Sequence, residues 1–311
     1  MTGNSLSNTP SSPFLVKTTG TVGTATYSAQ VHCTIPQTST YGLEVSTTIL
    51  FQGGPTVDSY DSSLGAYGVS NKSSNATVVT NTTSSNGVTI SGGTIKGSVS
   101  IGVGGNVSTV INGSSNITGA KTALTQALTL PTVTNPSGIG TSQGDLIYSG
   151  GTTTLNGVTM HVGSLTLQSS AHVKISGTCV IVADGSVTIS DTGSGFEVLA
   201  GGSLKIYHYG WLTLQGGSNN IVDGSDMSRL QFLNTGTGQV ALNQSTAQCL
   251  IVSPKSFVSI QGGFTLYGGI VASGLQIEDT SQIHQDLHIP GSGSGSGNSN
   301  PIPDAWTRVV Q

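Results

Sequence analysis

Trp211-Leu212-Thr213-Leu214-Gln215-Gly216-Gly217, or WLTLQGG, alternates apolar and polar residues and then breaks at two glycines. A strand buried on one face requires that alternation, because successive side chains point to opposite sides. The stretch has relatives along the chain. SLTLQ at 164–168 and SVTIS at 186–190 start 22 positions apart, WLTLQGG starts 25 after the second, and FVSIQGG at 257–263 starts 46 later, or twice 23. A second series, HVKIS at 172–176 and FEVL at 196–199, runs beside it with a spacing of 24. A repeat of this length holding several short strands predicts an all-β, single-stranded parallel β-helix, or β-solenoid, in which equivalent side chains of successive coils stack. Leu165 and Leu167, Val173 and Ile175, Val187 and Ile189, Leu204 and Ile206, and Leu212 and Leu214 are then expected inside, with glycine pairs at the corners.

Composition agrees with this reading. Only 7% of the 311 residues are charged and the net charge is −4, against about 25% charged in an average globular protein. Like charges on successive coils would stack at about 4.8 Å, which gives a reason for Thr, Ser and Asn in their place. Seven lysines and two arginines, scattered, provide no basic stripe for nucleic acid. Cys33, Cys179 and Cys249 lie far apart and form no CxxC pair, so no zinc motif or disulfide framework is expected, and Cys179 and Cys249 read as buried small hydrophobes. No apolar run approaches the length of a membrane span, and the start, MTGNSLSNTPSSP, is polar.

The chain divides into a polar N-terminal arm (1–19), an N-terminal β cap (20–68), the β-helix (69–290), a Gly/Ser linker (291–300) and a C-terminal docking tail (301–311) carrying Trp306. Within the cap, TVDSYDSSLGAYG (56–68) places Asp58 and Asp61 three residues apart. Two carboxylates are what glycoside hydrolysis needs, but no His, Arg or third acid accompanies them in sequence, and the motif set of pectin-cleaving β-helices is absent. Asp58 and Asp61 are therefore expected to fix turns. Tyr60 and Tyr67 are expected to cover an open end of the core. His284, Asp286 and His288 share one face if their strand is regular, a conceivable metal set, although both imidazoles reach one ion only if the strand bends. Lys205, Tyr207, Tyr209 and Trp211 form the densest aromatic patch, suited to a glycan or a protein partner.

The segment VDSYDSSLGAYG (57–68), followed by VTISGGTIKG (88–97), FTLYGGIVASGLQIEDTSQIHQDL (264–287) and AWTRVV (305–310), resembles an uncharacterised bacterial domain family found behind type IV pilus assembly (PilX-like) or other pilin-like anchors. The pilin-like helix itself is missing here. The resemblance implies a surface-exposed, non-enzymatic β-helical domain. The expected function is an extracellular or cell-surface structural or adhesive protein without a cofactor. It would self-associate or join other surface or pilus subunits, with terminal strands exchanged in a filament. The alternatives are a carbohydrate-binding or carbohydrate-active β-helix, and a polymer-forming scaffold similar to bactofilins.

Overall fold

The computed structural model describes the backbone at 14–22, 25–34, 37–38, 42–224, 226–289 and 302–310, and side chains within 42–224 and 226–289. The protein is all-β and is dominated by one sheet of 26 strands. Among the described residues its pairings are parallel except where Lys72–Ser73 turns back on Thr56–Tyr60.

The pairings resolve into three ladders that the chain visits in strict rotation. Ladder A joins Leu146–Ser149, Leu165–Gln168, Val187–Ile189, Leu212–Leu214 and Val240–Asn243, in that order, and continues through parts of the long strands Thr246–Gln261 and Thr265–Ile277. Ladder B follows the same course from Thr152–Asn156, through His172–Ser176 and Gly195–Val198, to Gln282–Asp286. Ladder C runs from Thr159–Val162 through Thr178–Ala183, Ser203–His208 and Leu230–Asn234 into the same two long strands.

The rotation does not stop at Asp286. The next position in ladder C is taken by Leu43–Val45, the next in A by Ile49–Gln52, and the next in B by Thr56–Tyr60. Two further circuits follow through Ala76–Thr80, Val88–Ser91 and Gly97–Ile101, ending at Lys121–Ala123. Each ladder therefore has ten rungs, and their spatial order is 146–286 followed by 43–123. The start of the sheet-forming chain sits on its end, and the seam lies inside the stack.

Inward files hold the stack together. All ten positions expected inside, from Leu165 to Leu214, are 0% exposed. Each fully buried aliphatic side chain contributes ~1.5–3 kcal/mol, so these files supply what the few charges do not. Gly268 marks the bend from ladder B to ladder C within Thr265–Ile277. Its φ of 144° and an approach that would put a Cβ 1.9 Å from the Cys249 carbonyl oxygen allow only glycine there.

The seam requires a return path, and residues 124–145 provide it. Nine rung spacings of about 4.8 Å make about 43 Å, and twenty-two residues can span roughly 75 Å, so the segment reaches easily. It runs over the outer face of ladder C. Leu124 and Leu128 pack on Val79, and Val133 packs on Leu233, Val252 and Val271. Asn81 clasps Leu128 through both backbone groups at 2.8 Å. At the far end His161 faces the Gly140 carbonyl at 2.9 Å and the Asp184 carboxylate at 2.8 Å, and these contacts raise its pKa, the Asp184 bond most.

The expected division at 68/69 is corrected by these pairings, because 43–60 belong to the same ladders as the rest. Of the expected cap, 25–34 instead form a strand, Ala25–Thr34, flanked by Phe14–Val22 and Ile302–Val310 in a separate antiparallel sheet. The expected arm (1–19) thus overlaps a strand from Phe14 onward, and the tail strand carrying Trp306 pairs with its own chain. The Gly/Ser linker (291–300), residues 1–13 and the Trp306 and Cys33 side chains lie outside what is described.

Candidate functional site

Gln282–Asp286 and Thr56–Tyr60 are parallel neighbours in ladder B, pairing Ile283 with Val57, His284 with Asp58 and Asp286 with Tyr60. Alternation sends Ile283 and Val57 into the core at 0% exposure and turns His284 and Asp58 outward. Residues 61–73 then fold over this outward pair. Asp61 begins the excursion by capping the short 3-10 helix Ser62–Leu64, its Oδ1 accepting from the Ser63 N–H at 2.9 Å. Asn71 holds the loop together, accepting from the Gly68 N–H at 2.8 Å and donating to the Gly65 and Ala66 carbonyls at 2.7 and 3.0 Å.

Beneath the loop, Asp58 is fully committed. Its Oδ1 accepts from His284 Nδ1 at 2.6 Å, and its Oδ2 accepts from the Tyr67 hydroxyl at 2.8 Å and from Lys72 Nζ at 3.2 Å. Burial alone would raise the carboxyl pKa. The donors outweigh it, His284 first, then Tyr67 and Lys72, and hold it below the ordinary carboxylate range. The Tyr67 and Tyr267 rings lie against the imidazole of His284, with centroids at 3.8 and 4.8 Å. Tyr60 meets both tyrosines edge-on.

Two more threads cross the seam. Asp286, 0% exposed, accepts from the Ser62 N–H at 3.1 Å, the Ser62 hydroxyl at 2.7 Å and the His288 N–H at 3.0 Å. Burial nevertheless raises its pKa. Gln285 accepts from the Thr77 N–H at 2.6 Å and returns a bond to the Thr77 hydroxyl at 3.0 Å. Partners more than 200 residues apart are thus joined at three successive positions of one strand.

The residues singled out in the sequence fall into three groups. Asp58, Tyr60, Asp61 and Tyr67 lie at or over an interior rung, so the expectation that the tyrosines cover an open end is corrected. His284, Asp286 and His288 do not converge: His284 faces Asp58, Asp286 faces Ser62, and half-exposed His288 has Nδ1 4.0 Å from Asp61. Among the described residues no group of three His, Cys, Asp or Glu side chains is placed to hold a metal ion. The aromatic patch divides, with Tyr207 packed beside Leu233 under the return segment while Lys205 is exposed and Tyr209 and Trp211 are 63% and 52% exposed. Cys179 and Cys249 are free and buried, and burial pushes the Cys249 thiol pKa up.

One feature escaped the sequence reading altogether. Beside the seam, on the outer face of ladder B, lies an open cavity of about 580 Å³ lined by Tyr67, Tyr267, Glu197, Asp223, Asn219 and Gln248. Glu197 is already paired with Lys174 at 3.2 Å and His172 at 3.1 Å. The signal for this cavity is the outward file Lys174, Glu197, Ile221, Gln248, Tyr267, His284, Asp58, which appears only once the rungs are aligned.

Residues 131–290 match a domain of unknown function, DUF7305, and the match covers just over half of the 311 residues. The chain belongs to the DUF7305 family. No curated protein and no solved structure matches it. The DUF7305 segment begins within the return path and ends just beyond the seam. It contains His284, Gln285 and Asp286 but not Asp58, Ser62 or Thr77, so the clasp joins the family domain to the circuits of 43–123.

Proposed function

We propose that this DUF7305 protein is a non-enzymatic structural component in which ladders A, B and C close on one another as the three faces of a parallel β-helix. The observation that carries this reading is the state of the seam acids. Every oxygen of Asp58 and Asp286 is occupied by the chain's own donors, and the imidazole that Asp58 holds lies under two tyrosine rings. General acid–base work needs a group within reach of a substrate proton, whereas this arrangement locks one part of the chain onto another. The low charge and the resemblance to pilin-anchored domains favour an extracellular or cell-surface setting, with a structural or adhesive role among surface subunits. Polymerisation similar to that of bactofilins is compatible with the same architecture.

A carbohydrate-binding reading is favoured by the cavity, where Tyr67 and Tyr267 stand beside amides and carboxylates able to receive hydroxyls. It requires binding without cleavage. The test is incubation with a panel of polysaccharides, read for new reducing ends, with Asp58→Asn as comparison. No release is expected from either protein. Release by the native chain that Asp58→Asn abolishes would overturn the structural reading.

A further inference from the structure

The two ends of the ladders are finished differently. At 97–123 the last inward side chains of ladders A and B are covered, with Val110, Ile111 and Ile117 0–4% exposed, while in ladder C Ala123, opposite the fully buried Ile101, is exposed. The helix Val107–Val110, capped by Asn106, helps close that end, as does Lys121, whose Nζ donates to the Ser114 and Ile117 carbonyls at 3.2 and 3.3 Å. At 146–162 nothing equivalent exists among the described residues. Leu146, Tyr148, Leu155, Val158 and Met160 stay only partly buried, and Thr153, opposite the fully buried Val173, is exposed.

Among the described residues both ends leave outer strand edges unpaired, since Ile111–Asn112 pairs only with Val88–Ser91 and Lys121–Ala123 only with Gly97–Ile101. At 146–162, among the described residues, Leu146–Ser149 pairs only with the strand Leu165–Gln168 on its inner side, and Thr152–Asn156 only with His172–Ser176. Thr159–Val162 alone meets the return segment at its edge, where the Gln143 N–H donates to the His161 carbonyl at 2.8 Å. Proteins normally protect free edges with charged side chains, bulges or proline. These three strands, LIYS, TTTLN and TMHV, contain no Lys, Arg, Asp, Glu or Pro.

We propose that this end is an interface and that its occupant is the same end of a second copy of the chain. An occupant must present strand edges at the mutual angles and spacing of the rung it covers, and the described molecule offers that shape at the ends of its own stack. No Lys, Arg, Asp or Glu stands on these edges, and His161 is paired with Asp184 of its own chain, so the two-fold mates meet without unpaired like charges. The pairing follows from which edges are free. A two-fold axis perpendicular to the stack, passing over ladder C, sets the return segment that covers Thr159–Val162 against its mate's and lays Leu146–Ser149 antiparallel on the mate's Thr152–Asn156, and the reverse. The interface is isologous and closes after two copies. The proposal rests on the reading that the ladders close into a β-helix.

The test is light-scattering mass against concentration for the native chain, Thr153→Lys and Val103→Lys, with small-angle scattering on each. Val103 is 48% exposed and lies near the closed end. The native chain and Val103→Lys are expected to double in mass, and Thr153→Lys to stay a folded monomer with association at least about tenfold weaker (about 1.4 kcal/mol). A native chain that remains monomeric, or a dimer indifferent to Thr153→Lys, overturns the proposal. The monomer's dimensions test the underlying reading separately. A rod with a core of about 43 Å keeps the β-helix even if dimers are absent, and a globular monomer contradicts the β-helix itself.

Discussion

Two places in this stack, the seam inside it and the end at 146–162, are built in opposite ways. At the seam, strands from distant parts of the sequence meet, and Asp58, His284, Asp286 and Gln285 are all partnered across the gap. At the edge formed by 146–162, the outer backbone groups of Leu146–Ser149 and Thr152–Asn156 and the apolar side chains beside them have no comparable cover among the described residues. The same parallel rung can therefore end in a lock or in a docking surface. The difference lies in whether charged and aromatic side chains, otherwise scarce in this protein, are spent on it.

Breaking the lock should have the largest effect. Asp58→Ala leaves a buried imidazole, the Tyr67 hydroxyl and Lys72 without their acceptor, and removing one partner of a buried pair costs about 3–5 kcal/mol. Urea unfolding should show that loss, and limited proteolysis should release 43–123 more readily. The carboxyl pKa of Asp58 is depressed. Its contribution is therefore complete above the unfolded carboxyl value of about 3.9 and disappears as pH falls through the lower native value. Acid unfolding of Asp58→Asn should lack that component.

The interior of a rung offers a comparison with both places. His208 is 0% exposed, its Nδ1 donates to the Gly210 carbonyl at 2.9 Å, and burial lowers its pKa to about 4. An unfolded imidazole takes up a proton near pH 6.5, which the buried one refuses. Stability should consequently be whole above pH 6.5 and decline as pH falls toward about 4, by ~3 kcal/mol in total. The pH profile of thermal unfolding should flatten in this window in His208→Asn.

Smaller effects separate the two ends. Val110→Ala, at the closed end, removes methyls from a filled site and should cost about 2 kcal/mol, whereas Met160→Ala, half-buried at the open end, should cost less than about 1 kcal/mol in the monomer. Equal losses in denaturant titration would mean that the ends are finished alike. The smallest change is expected for Thr153→Lys, within about 0.5 kcal/mol of the native monomer; a large loss would place Thr153 inside a packed site.

The sequence made the local structure legible and the order of stacking illegible, for a physical reason. Alternation in stretches such as Leu212–Leu214 fixes which side chains point inward, and those assignments hold at 0% exposure. Every circuit presents the same alternation, so nothing local says which circuit lies on which. Placing 43–123 ahead of 146 satisfies each strand as well as placing it behind 286. The information was in the exceptions: Asp58, Tyr60, Tyr67, His284 and Asp286 gather charge and aromatic rings in a chain that otherwise avoids them. Read one motif at a time, they suggested turns and a metal set, because their partners are 224–226 residues away. The return path was hidden for a similar reason, since Pro131 to Gly144 has the composition of an ordinary loop, and the structural role of Val133 depends on apolar residues facing outward from ladder C.

One disulfide measures the stacking order directly. Thr56 and Gln282 face each other across the seam, and adjacent parallel strands bring Cα atoms to about 4.8 Å, within disulfide range. If the circuits stacked in sequence order, those positions would stand nine rungs, or about 43 Å, apart. In a Cys33→Ser background, Thr56→Cys with Gln282→Cys should oxidise readily and keep the two halves covalently joined after proteolysis within 134–142. Failure of that pair to link, together with ready linking of Asn112→Cys to Ile147→Cys, which stand at opposite ends of ladder A, would contradict that order.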